Sequence, residues 1–117
     1  VNGSEFANLL DATHQRLVDL TATKGREYAN SADQLANFKR LSETLGISPE
    51  AVCFVYLTKH LDSIQSHLRW PEKPLSEPID GRIDDAILYL ILLKGLLNDS
   101  ARSRNPQACT VWTGDTI

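Results

Sequence analysis

The sequence predicts an all-α protein, a bundle of four main helices completed by oligomerisation. Three observations carry that expectation. Apolar residues recur at steps of three and four in four separate stretches, the spacing that lines one face of a helix. Glycine and proline punctuate those stretches at Gly25, Gly46, Pro71 and Pro78. The run Ala86 to Leu93 is apolar at every position, so as a helix it would be buried on several sides, which a small four-helix monomer rarely manages. That run predicts a subunit interface through the fourth helix.

The first stretch spans about Glu5 to Thr23, with Phe6, Leu9, Leu10, Thr13, Leu17 and Leu20 on one face. Ser4 is its expected N-cap and Gly25 its expected stop, glycine being the residue that most readily closes a helix in the left-handed conformation. The polar segment Arg26 to Asp33 has no steady period and reads as a loop. Ser31 and Gln34 fit a capping box for a second helix carrying Leu35, Phe38, Leu41 and Leu45 and ending at Gly46. Ser48-Pro49-Glu50 opens the third by three signals: a capping hydroxyl, a proline where no N–H is needed, and an acid that complements the helix dipole. Its expected seam is Phe54, Leu57, Leu61, Ile64 and Leu68, and Trp70-Pro71 ends it because a residue before proline is driven out of the helical region. Three prolines mark the connector from Pro71 to Pro78. The fourth helix runs from about Ile79 to Asn98 on a seam of Ile79, Ile83, Ala86, Leu90, Leu93 and Leu97.

These elements make one helical domain over residues 1–100, followed by a tail or arm over 101–117. The chain has 117 residues, with 12 Lys and Arg against 15 Asp and Glu. A net charge of −3 argues against an extended nucleic-acid surface. The apolar run is far short of the ~20 residues that cross a bilayer, and the first ten residues lack the basic-then-apolar pattern of a secretory signal. Cys53 and Cys109 make no disulfide framework. A cytoplasmic location is the expectation.

Chemistry is expected first at the acidic start of the fourth helix, Glu77, Asp80, Asp84 and Asp85. Steps of three and four would place Glu77, Asp80 and Asp84 on one flank, where a hard cation such as Mg²⁺ relieves their repulsion; solvated acids complementing the helix dipole are the alternative. Asp85 lies on the side of Leu88 and Leu92, so its carboxylate needs a partner. A second group joins Lys24, Arg26, Glu27 and Tyr28 to Lys39 and Arg40, cations with an acid and an aromatic suited to phosphate and base contacts. A third is Lys59-His60, with His67 two turns on and too far along the helix to share one metal.

Four blocks in order, Lys24-Gly25-Arg26-Glu27-Tyr28-Ala29, Asn37-Phe38-Lys39-Arg40, Lys59-His60-Leu61-Asp62-Ser63-Ile64, and Glu77 through Asp85 to Tyr89-Leu90, resemble the phage and bacterial family called nucleotide modification associated domain 1. That family is similar in architecture to the MazG-like all-α nucleoside triphosphate pyrophosphatases. The resemblance covers about Phe6 to Leu97. It implies a phage-type nucleotide-handling protein acting in a host cytoplasm and binding a nucleotide or nucleotide-derived molecule. As an enzyme this would be a Mg²⁺-dependent (d)NTP pyrophosphohydrolase, with Glu27, Glu77, Asp80 and Asp85 on the metal. Lys24, Arg26, Tyr28, Lys39 and Lys59 would then hold the nucleotide, with His60 and Asp85 in the catalytic roles. Glu77-x-x-Asp80 satisfies one metal motif of those enzymes. The other is missing: between Leu41 and Leu68 the acids are Glu43, Glu50 and Asp62, at no E-x-x-E spacing. Leu88 also stands where relatives often have asparagine. These departures weigh against hydrolysis more than against binding. The alternative is a non-catalytic sponge that sequesters a cyclic nucleotide or another immune signalling molecule in an anti-defence role; a helical interaction module is a third reading.

Overall fold

A computed structural model describes residues 1–27, 35–75 and 77–104, leaving aside the side chains of 23–27. Four helices and no strand occur among the described residues: α1 (Gly3–Glu27), α2 (Ala36–Leu45), α3 (Pro49–Arg69) and α4 (Ile79–Arg104). The fold is all-α, as the periodicity predicts.

Local signals set most of the helix ends. Ser48 is extended and its hydroxyl accepts from Ala51 N at 3.1 Å, with Pro49 in the first turn. Gly46 takes the left-handed conformation at φ 71° and donates its N–H to Ser42 O, closing α2. Trp70 ends α3 ahead of Pro71.

The α1 boundaries differ from expectation. Asn2, not Ser4, caps the helix: its side chain accepts from Glu5 N at 2.8 Å and donates to Glu5 Oε1 at 3.1 Å. This pairing of N-cap and N3 side chains sets the cap two residues before Ser4. At its far end α1 continues through Gly25 to Glu27, since a glycine inside a helix costs only about 1 kcal/mol relative to alanine. Leu35 precedes α2 without a side-chain cap, and the predicted Ser31–Gln34 box lies outside the described residues. α4 runs six residues past Asn98, to Arg104, taking the first part of the expected tail into the helix. The tail's remainder, with Cys109, lies outside the described residues.

The core sits between α3 and α4, antiparallel neighbours, with α2 laid across them. Phe38, Val52, Cys53 and Leu96 form its buried centre, and Leu35, Leu41, Tyr56, Tyr89, Leu92 and Leu93 pack around it. Cys53 is fully buried, donating to Tyr89 O at 3.4 Å, and burial pushes its thiol pKa up. The predicted seams are only half used. Leu57 and Ala86 are buried, but Phe54, Leu61, Leu68, Ile83, Leu90 and Leu97 are exposed. Within the all-apolar run, Leu90 and Ile91 are about half exposed, so one chain does not bury it on all sides. Among the described residues α1 packs only on α4, and its Phe6, Leu9 and Leu10 lie open to solvent. Among the described residues no helix is long and apolar enough to cross a membrane.

Candidate functional site

An aromatic ladder runs outward from the core along α3 and α4. Phe38 meets Tyr56 and Tyr89 edge-on, at centroid distances of 6.1 and 6.2 Å. Tyr56 and Tyr89 stack at 6.0 Å with their planes 10° apart, and His60 stacks on Tyr89 at 5.1 Å and 28°. The spacing explains this: Tyr56 and His60 are one turn apart on α3, while Asp85 and Tyr89 are one turn apart on α4. Antiparallel packing therefore brings the two pairs side by side.

Charged groups edge the ladder. Lys59 Nζ lies 5.5 Å from the Tyr56 ring centroid, within the range of a cation–π contact. His60 Nδ1 stands 3.9 Å from Asp85 Oδ2, with both side chains less than one-fifth exposed. That is beyond hydrogen-bond reach, and His60 Nδ1 has no hydrogen-bond partner. Asp85 therefore faces the partner its position requires, across a gap. His67 is half-buried, and its Nδ1 likewise has no hydrogen-bond partner.

The acids expected to share a flank do not converge. Asp84 is buried at 7% exposure and its Oδ2 lies 2.7 Å from Arg16 Nε of α1. Glu77 precedes α4, so helical spacing does not apply to it; its Oε2 is 3.7 Å from Arg82 Nε. Asp80 is exposed in the first turn of α4. Among the described residues no three His, Cys, Asp or Glu side chains are placed to hold one metal ion. Of the Mg²⁺ site that the resemblance implies, Glu77, Asp80 and Asp85 are thus not gathered round one point, and the Glu27 side chain lies outside the description.

Lys39 is drawn to the other end of the hairpin. Its Nζ lies 2.9 Å from Asp99 Oδ2, fourteen positions beyond Asp85 and so about 21 Å along α4. There Ser100 donates to Glu50 at the start of α3. Lys39 and Lys59 therefore serve different places. Lys24, Arg26 and Glu27 lie in the last turns of α1, their side chains outside the description, and Tyr28 lies outside the described residues.

Tyr56, Arg16 and Asp99 did not stand out in sequence, and Tyr89 did so only within the fourth block of the resemblance. The tyrosines offered one signal, aromatic residues one turn from His60 and Asp85 respectively. The chain matches no family model, no curated protein and no solved structure.

Proposed function

We propose that this chain is a non-catalytic binder of a nucleotide or nucleotide-derived small molecule, seated on the α3–α4 edge at Lys59, His60, Asp85 and Tyr89. The observation that carries the reading is the Tyr56–Tyr89–His60 stack with a lysine and a carboxylate at its rim. Stacked rings offer π-faces suited to a base. Lys59 supplies a mobile cation for phosphate. His60 and Asp85, 3.9 Å apart, add an imidazole and a carboxylate beside the stack for a ligand's polar groups. Retention is favoured over pyrophosphate hydrolysis because Asp84 and Glu77 face arginines and Asp80 stands apart. The physiological role that fits retention is sequestering a cyclic nucleotide or another immune signalling molecule of a phage's host.

The test is thermal melting of the purified chain with dNTPs and cyclic mono- and dinucleotides, each with Mg²⁺, followed by chromatography of the ligand released on denaturation. The expected result is a raised melting temperature with intact ligand recovered. Lys59→Ala and His60→Gln should each weaken binding by about tenfold, the loss of one charged or polar contact. Released pyrophosphate would identify a hydrolase instead. A melting temperature unmoved by every nucleotide would leave a helical interaction module.

A further inference from the structure

We infer that the face of α3 and α4 turned away from α1 and α2 is an isologous interface, covered by a second copy of this chain. Phe54, Leu61 and Leu68 lie seven residues apart on α3, and Ile83, Leu90 and Leu97 lie seven apart on α4. These six range from 41% to 75% exposed. A step of seven turns a helix to within about 20° of its starting direction, so each trio is a straight stripe.

Both stripes lie on the same side of the hairpin. Val52 and Tyr56 pack in the core with Phe38 of α2, and Phe54, two residues from either, points about 200° away. On α4, Leu97 stands two residues from Asp99, which holds Lys39 of α2. Leu90 is six residues beyond Asp84, which faces α1; that turns it well away from α1.

The stripes' chemistry selects the occupant. Thr58 and Gln65 fill the four-residue steps on α3, and Ile87 and Lys94 fill those on α4, which leaves Lys94 as the one charge along either stripe. Apolar side chains repeated every seven residues on paired helices form one row of the seam by which helices pack against helices. Taking about 200 Å² for a large apolar side chain, the six expose about 600 Å². That reaches the upper end for a monomer's largest apolar patch and most of the ~800 Å² per partner of a stable interface. A second copy carries the same two stripes at the same length. Joining the two hairpins face to face makes a closed, two-fold four-helix bundle.

Sedimentation with mass determination tests this on the full chain. The expected mass is twice the 13.0 kDa of one chain at about 50 μM, a concentration well above a micromolar dimer's dissociation constant. Leu61→Glu and Leu90→Glu should shift it to one chain with helicity by circular dichroism retained, while Leu9→Glu on α1 leaves it doubled. A single-chain mass for the unmodified protein overturns the proposal. So does a dimer that survives both hairpin substitutions or is broken by Leu9→Glu. Should the glutamate variants lose helicity, isotope-filtered NMR on mixed labelled and unlabelled chains decides. Intermolecular contacts from Phe54, Leu61, Leu90 and Leu97 support the interface, and contacts from Phe6 and Leu10 in their place refute it.

Discussion

Glu50 receives the Ser100 hydroxyl across the α3–α4 pair, and that bond is the main reason its pKa is lowered from an ordinary 4.5. Its own backbone N–H, the Ser48 hydroxyl and the Arg104 charge act in the same direction, against a smaller opposing effect of burial. A carboxyl lowered by folding stabilises the native state when ionised. Its contribution is fully present above the unfolded value and is lost as pH falls through the lowered native value. Ser100→Ala should therefore lower the urea midpoint at pH 7, and the gap from the unmodified chain should narrow as pH drops below about 4. Equilibrium unfolding across that range measures it. A gap that is constant with pH would show that Ser100 acts by packing and not through the Glu50 charge.

At the scale of elements, α1 is the least secured helix. Among the described residues it packs only on α4, its first ten residues are wholly exposed, and its one ion pair to the rest is Arg16 to the buried Asp84. Arg16→Ala removes that clamp and leaves a buried carboxylate without its cation, while Asp84→Asn removes the charge as well. The first should cost about 1–2 kcal/mol, discounted because the arginine is 60% exposed, and the second less. Hydrogen exchange should show α1 amides losing protection in Arg16→Ala while α3 keeps its own; equal loss in both helices would mean that α1 does not open separately. The ends of α2 and α3 were legible in sequence because Gly46, Ser48 and Pro49 act on their own turns. The Arg16–Asp84 clamp was not, because only tertiary packing brings residues so distant in the chain together. The site was legible in part. A buried-side Asp85 demanded a partner and Lys59-His60 stood out, yet their meeting depends on the register of two antiparallel helices. The acidic flank failed because Glu77 lies before the helix whose spacing was used to place it.

For the whole molecule, the periodicity of α3 and α4 describes more partners than one chain contains. The core uses Val52, Cys53, Leu57, Leu88 and Leu96, while the seven-residue stripes stand half exposed on another side. A helix written with two apolar faces is stable in water chiefly when both are covered, because each uncovered large side chain forgoes about 1.5–3 kcal/mol of burial. If a second copy provides the cover, folding and association are linked by mass action, and stability depends on how much protein is present. Raising the chain concentration a hundredfold should then raise the melting temperature on the order of 5 °C. Leu90→Glu should melt lower and at the same temperature at every concentration, since it has no association left to lose. Calorimetry on both chains over that range makes the comparison. An unmodified chain whose melting temperature ignores concentration would mean that the stripes stay wet in the native protein, and that the all-apolar run of α4 is carried at a cost the core alone must offset.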